Sequence, residues 1–203
     1  MTSSEGPTRT TPEAAAERDL QLIQDARRGN VAAFNQLVLS YQDLLYNVAL
    51  RLVGDPETAA DVTQDAFISA YRHLDQFKGG SFRAWLLRIV TNASYDLLRD
   101  RQRHNSESLD LLIEESSYDA PDPGELPETV VLQQEWIGEL EEGLRALAVE
   151  QRAVLILYDL HGLSYEEIAA TLQISLGTVK SRLNRARRRL RDYVMSHPEL
   201  WKP

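Results

Sequence analysis

Apolar positions recur every three or four residues along most of the chain. Leu20, Ile23, Phe34, Leu37, Val38, Tyr41, Leu44, Leu45, Val48 and Leu52 keep the spacing of a helical stripe, interrupted by "RGN" at 28–30. "GDP" at 54–56 ends that run. Asp55 is placed to cap, and Pro56 to open, a helix that reaches about Leu74. "KGGS" at 78–81 is a further stop, and a fourth helix is predicted from Phe82 to about Arg103. The pattern lapses over 104–130, where "SYDAPDPGELPE" favours an extended, solvated linker. It resumes near Val131: Leu132, Trp136, Leu140, Leu144 and Leu147 predict one helix, and Ala153 to Leu160 a second. Ser164 and Glu167 stand in capping-box spacing at the head of a third. After the short turn "QIS", Ser175 or Leu176 opens a fourth.

No stretch alternates like a strand. The expected fold is all-α: two small helical domains joined by an acidic flexible linker, the C-terminal one a four-helix domain with a helix-turn-helix. The boundaries are a disordered tail over 1–17, a first domain over 18–103, a linker over 104–130, a second domain over 131–195 and a short tail over 196–203.

Charge changes this picture more than composition does. The 203 residues carry a formal net charge of −9 and no cysteine, which excludes disulfides and thiolate metal sites and suits a cytoplasmic protein. The start of the chain is polar with no apolar signal core, and no apolar run is long enough to span a bilayer. The acids and bases are segregated. Seven bases face three acids between Arg72 and Arg103; thirteen acids face one base, Arg145, between Glu107 and Glu150; seven bases stand without an acid between Thr178 and Arg191. A basic–acidic–basic order points to two surfaces for a polyanion, separated by a segment that imitates or repels one.

On a helical wheel, residues 176–194 put Leu176, Val179, Leu183, Ala186, Leu190 and Val194 on one stripe facing the domain core. Ser181, Asn184, Arg185 and Arg188 lie opposite, Lys180, Arg187 and Arg191 flank one side, and Arg182 and Arg189 flank the other. Short polar groups and arginines near the helix start can reach base edges, while flanking arginines pair with phosphates.

These residues carry a resemblance. "GLSYEEIAATLQISLGTVKSRLNRARRRL" resembles the −35-binding region of the extracytoplasmic-function sigma factors of bacterial RNA polymerase. "DVTQDAFISAYRHLDQF" with "SFRAWLLRIVTNASYDLLRDRQR" is similar to the other domain of that family, which binds the polymerase clamp and opens the −10 element. The resemblance covers roughly 18–103 and 132–195.

It implies a transcription initiation factor that works without cofactor or metal, as a monomer within the holoenzyme. Asp61, Gln64, Asp65 and Phe67 become candidates for docking on the clamp of the largest polymerase subunit, with the second domain on the flap of the second-largest. Phe67 also reads as core. The loop Phe77, Lys78, Gly79, Gly80 and Ser81 would capture a base of the melting −10 element, and Asn92 would read the melted edge. Arg83, Arg88, Arg99 and Arg101, with Lys78, would hold the strand's phosphates. Trp85 reads as core packing or as a stacking platform. At −35, Lys180, Ser181, Asn184 and Arg185 would contact bases; Thr178 and Arg187 are read as phosphate contacts, and Arg188 joins the set from the wheel. The acidic linker would imitate RNA in the transcript channel, and an anti-sigma factor is an expected regulatory partner. Ala148 stands where the family usually has Pro, and "KGGS" is short compared with some members.

Two rival readings differ in class. An enzyme lacks support, because His73, His104, His161 and His197 are far apart and no phosphate-cradling glycine loop or nucleophile elbow occurs. His161 reads as a helix-end residue that caps carbonyls. A stand-alone helix-turn-helix regulator would need a dimer interface or sensor in the first domain and symmetric binding sites.

Overall fold

The structure, a computed structural model, describes residues 12–107 and 138–197. Helix α1 spans Pro12–Arg27, α2 Val31–Val53, α3 Pro56–Arg72 and α4 Phe82–Glu107, with a single 3₁₀ turn at Leu74–Gln76. Helix α5 covers 138–145. Helix α6 (Val149–Leu155) runs on into a π-helical turn at Ile156–Leu160, and α7 (Tyr165–Leu172) and α8 (Leu176–Ser196) follow. No strand occurs among the described residues.

The helix starts obey local chemistry. Asn30, Asp55, Ser164 and Ser175 sit before their helices in extended conformation, and each side chain accepts from the backbone N–H three residues on. At Ser164 the capping box is complete, because Glu167 also accepts from the Ser164 N–H. Ala148 offers no side-chain cap to α6.

In the first domain α1 to α4 bury Ile23, Leu37, Leu45, Leu52, Leu86 and Leu87 almost completely. In the second, Val154, Ile156 and Ile168 close against Val179, Leu183 and Ala186 of α8. Two expectations need correction. Helix α1 begins at Pro12, inside the segment expected to be a disordered tail, because "PEAAAER" supplies a proline at the first position and good helix formers after it. Leu176, expected on the core stripe, is 42% exposed, because α8 begins there and its first turn projects beyond the domain. The linker's 108–130 and the start of the predicted helix at 131–137 lie outside the described residues.

The two domains pack against each other. Helix α7 lies on α4, and α6 meets the end of α2. Arg152, only 7% exposed, joins them: one terminal nitrogen donates to the Leu52 carbonyl of α2 at 2.8 Å. The other donates to the carbonyls of Arg145 (2.6 Å) and Leu147 (3.1 Å) in its own domain. Gly54 adopts φ +81° to end α2, and a Cβ there would come within 3.2 Å of the Arg145 side chain. On the α4 side, Arg83 donates to the His161 carbonyl at 2.8 Å.

This seam is imperfectly satisfied. Thr91 Oγ1, Tyr95 OH, Gln151 Oε1, Arg152 Nε and His161 Nε2 are buried without a hydrogen-bond partner among the described residues. All five belong to elements that meet across the two domains. A buried polar atom left without any partner costs about 1–3 kcal/mol, so these five sites weaken the packing between the domains unless water reaches them.

Replacing Arg152 with Met leaves three carbonyls without a donor and should lower the free energy of unfolding by about 3 kcal/mol in urea titrations. Arg152→Lys should recover little, since one ammonium cannot span acceptors that a planar fork reaches. An unchanged midpoint in Arg152→Met would show that the guanidinium holds nothing.

Candidate functional site

The recognition surface of the second domain begins at the turn between α7 and α8. Gln173 takes a left-handed conformation (φ 54°), and Ser175 then caps α8. The Ser175 hydroxyl accepts from the Thr178 N–H at 3.1 Å and lies 2.8 Å from the Thr178 hydroxyl. Val179, Leu183 and Ala186 anchor α8 inward, which turns Lys180, Ser181, Asn184, Arg185, Arg187 and Arg188 to the exposed side. The structure therefore gathers the expected −35 set on one convex face. Thr178 is half-buried, with its hydroxyl turned to the cap.

Arg187 differs from its neighbours. Its Nε donates to Asp159 Oδ2 at 3.2 Å and a terminal nitrogen pairs with Oδ1, while the guanidinium lies 5.1 Å from the Tyr158 ring centre. The hydrogen bond and charge of Asp159 raise its pKa further above the ordinary guanidinium value. Tyr158 stacks on Tyr165 at 5.0 Å, and Lys180 sits 5.9 Å from the Tyr165 centre.

In the first domain the 77–81 loop is clamped at its base. Arg27 of α1 donates to the Leu74 carbonyl at 2.8 and 3.2 Å and to the Phe77 carbonyl. Gly79 and Gly80 both adopt positive φ, with open space where a Cβ would stand, so Lys78, Gly79, Gly80 and Ser81 form an exposed tip. Phe77 does not present its ring there, contrary to its place among the base-capturing residues. It is buried (5% exposed) against Phe82 and Trp85, because an aromatic cluster supports the loop from below.

Trp85 is half-buried in that cluster and still lines a cleft of about 470 Å³ between α3 and α4. Arg88 and Asn92 line the same cleft, and so does Asp65, which the sequence had assigned to a different interface. The remaining phosphate candidates are dispersed. Arg83 reaches the second domain, Arg99 pairs with Asp96 at 3.7 Å, and Arg101 donates to the Thr58 hydroxyl at 2.8 Å.

A second groove, of about 630 Å³, opens between α2 and α3. Gln64 and Phe67 line it together with Phe34, Val38, Ile68 and Tyr71. Phe67 is buried as its floor, while Ile68 and Tyr71 are 40% and 44% exposed at its rim. Asp61 and Asp65 are exposed on the same helix outside the groove.

Sequence reasoning missed Arg27, Arg152 and the Tyr158–Asp159–Tyr165 cluster. Arg27 had one signal, a cation in the last turn of a helix before a break. The others had none, since their partners are backbone carbonyls or residues 28 positions away.

A basic helix-turn-helix face and a glycine-tipped loop beside an amide-bearing cleft, on two packed helical domains, define a nucleic-acid-binding protein with two distinct DNA surfaces. Comparison with known families agrees: residues 37–104 match Sigma-70 region 2, and residues 137–190 match Sigma-70, region 4. The chain is 40% identical to the ECF RNA polymerase sigma factor SigE of Mycolicibacterium smegmatis, over 81% of its own length and 63% of that protein's. It is 39% identical to the RNA polymerase sigma-H factor of Pseudomonas aeruginosa, over 84% of this chain and 91% of that one. In structure it is similar to the sigma factor RpoE of Bartonella quintana, solved with the anti-sigma factor NepR, at a TM-score of 0.64 and 31% identity, covering 80% of this chain and 96% of that one. The chain belongs to the sigma-70 family, in its extracytoplasmic-function group, and is a sigma factor of transcription initiation.

His161 gives the seam a pH dependence. Burial, then the nearby charges of Arg83 and Arg51, lower its pKa from 6.5 to about 4, so the folded protein holds it neutral. Between those values the unfolded chain takes up a proton that the folded one refuses, and stability is lost as pH falls through that window. His161→Gln should flatten the pH dependence of the urea midpoint between pH 6.5 and 4 relative to the parent. Parallel curves for the two proteins would refute the assignment.

Proposed function

We propose that this sigma factor binds core RNA polymerase through the α2–α3 face and reads promoter DNA with α8 at −35 and the α3–α4 cleft at −10. The observation that carries the reading is the outward face of α8, where Lys180, Ser181, Asn184, Arg185 and Arg188 stand exposed on an anchored helix after a capped turn. The clamp candidates Gln64 and Phe67 border an apolar groove with exposed Ile68 and Tyr71, which suits a partner helix, and Asp61 and Asp65 beside it suit a basic rim on that partner. At −10, Lys78, Ser81, Arg88 and Asn92 surround the cleft or its loop, where an amide can read a base edge once its pair has opened. Arg99 and Arg101 extend that basic surface along α4.

The chemistry of RNA synthesis belongs to the polymerase, and the chain works where the polymerase does, in the cytoplasm. Among the described residues no helix is long and apolar enough to cross a membrane. An anti-sigma factor is the regulatory partner to expect, since the structurally similar RpoE of Bartonella quintana was solved bound to one.

The packed arrangement is not the promoter-bound one. The −35 and −10 elements lie about 85 Å apart at ~3.4 Å per base pair, whereas a packed body of this size is about 40 Å across. The 23 residues over 108–130 could span about 80 Å if extended, which together with the domains' own size covers the separation.

The purified chain should co-elute one-to-one with sigma-free core polymerase on gel filtration; failure by folded protein with its own host's core would favour the stand-alone regulator. Arg185→Ala should reduce initiation at cognate promoters about tenfold while leaving core binding intact. An equal loss of core binding would show that α8 has been assigned the wrong partner. Asn92→Ala should slow strand opening, read as delayed permanganate reactivity of −10 thymines; unchanged reactivity would remove Asn92 from the melted-strand contacts.

A further inference from the structure

Seven cations lie along α8 between Thr178 and Arg191, and Arg187 alone among them is ion-paired among the described residues. Its fork meets both oxygens of Asp159, and the guanidinium carbon lies over the Tyr158 ring, 5.1 Å from its centre. The arrangement continues as a column: Tyr158 stacks on Tyr165 with an interplanar angle of 24°, and Lys180 lies over the far ring. Lys180 and Arg187 are seven residues apart, so they share the flank of α8 that faces the π-helical turn at Ile156–Leu160. One end of the column presents a cation open to solvent and the other a neutralised one.

We propose that Asp159 withholds Arg187 from the DNA backbone and thereby keeps sequence-independent DNA affinity low. This rests on the reading that α8 docks on duplex DNA. The Arg187 and Asp159 side chains remain 45% and 34% exposed, so a phosphate could reach the guanidinium if the carboxylate let go. The carboxylate satisfies the same two donors that a phosphate would use, and its own charge repels the backbone. Each phosphate contact formed adds a released counterion and the same increment of affinity at every sequence. Withholding one such contact therefore lowers affinity for cognate and random DNA by the same factor, which reduces occupancy of random sites and leaves the choice of site to Lys180, Ser181, Asn184 and Arg185. Arg187 is then not the phosphate contact that its position on the wheel suggests, and Asp159 sets the strength of sequence-independent binding.

The test uses the full chain and a fluorescent mixed-sequence DNA duplex, with anisotropy followed as KCl is varied. Asp159→Asn, which keeps the side-chain shape, should steepen the slope of log affinity against log salt by about 0.9 and raise affinity about fivefold near physiological salt. Arg187→Ala alone should leave the slope unchanged and raise affinity at no salt concentration, since it only unmasks the Asp159 charge, and adding it to Asp159→Asn should cancel the gain. Thermal melts followed by circular dichroism check that each variant is folded. The proposal is overturned if Arg187→Ala by itself flattens the slope by about 0.9, since Arg187 would then already touch phosphate. It is equally overturned if Asp159→Asn changes nothing. A different failure marks the underlying reading: if Arg185→Ala and Arg188→Ala also leave the parent's slope unchanged, α8 does not face DNA at all.

Discussion

The arrangement of the described residues turns on one buried guanidinium. Arg152 takes a carbonyl at the C-terminal end of α2 that α2 itself cannot satisfy, and two more around the break between α5 and α6. Burial and the neighbouring Arg145 charge hold its pKa below the ordinary guanidinium value, yet it stays charged, because a guanidinium does not give up its proton under physiological conditions. The same side chain thus holds the α5–α6 break of the second domain and reaches Leu52 of the first, beside the packing of α7 on α4 and the Arg83–His161 hydrogen bond.

A seam with five unsatisfied polar atoms suits a protein that must be compact at one time and extended at another. Any of these polar atoms that separation exposes to water regains its hydrogen bonds, which offsets part of the apolar burial given up on opening. The two surfaces proposed to meet DNA stay open in the packed form: Asn92 is exposed along the α3–α4 cleft, and Asn184 and Arg185 on the outer face of α8. Packing therefore does not cover either surface. It constrains the distance between them, and that distance is what a promoter with two separated elements tests.

The helices were largely legible in the sequence, since 3.6-residue periodicity and capping residues are local signals. Asp55–Pro56, Ser164–Glu167 and Ser175 each did what their spacing predicts. The outward face of α8 was legible for the same reason, because one buried stripe fixes everything opposite to it. What failed to show was whatever depends on a distant partner. Phe77 looked like a loop-tip aromatic, and only the cluster with Phe82 and Trp85 reveals it as the loop's anchor. Arg83 looked like a phosphate ligand beside Arg88, and it reaches His161, 78 positions away, instead. Arg187 looked like any other cation on its flank until Asp159 came into view. For Arg83 and Arg187 the neighbour lies 78 and 28 positions away; for Phe77 it is near in sequence, but the turn that brings the rings together is not a periodic signal.

The measurement that bears most directly on this account is the distance between the two domains, free and on polymerase. The chain has no cysteine, so a donor and acceptor pair can be placed through Ser40→Cys on α2 and Met195→Cys at the end of α8, both exposed. The account predicts one short distance in the free protein, lengthening by tens of ångströms when core polymerase and promoter DNA are added, on the scale of the ~85 Å between elements. A distance that stays short in the presence of both would contradict it, because a chain locked in the packed form cannot reach −35 and −10 together.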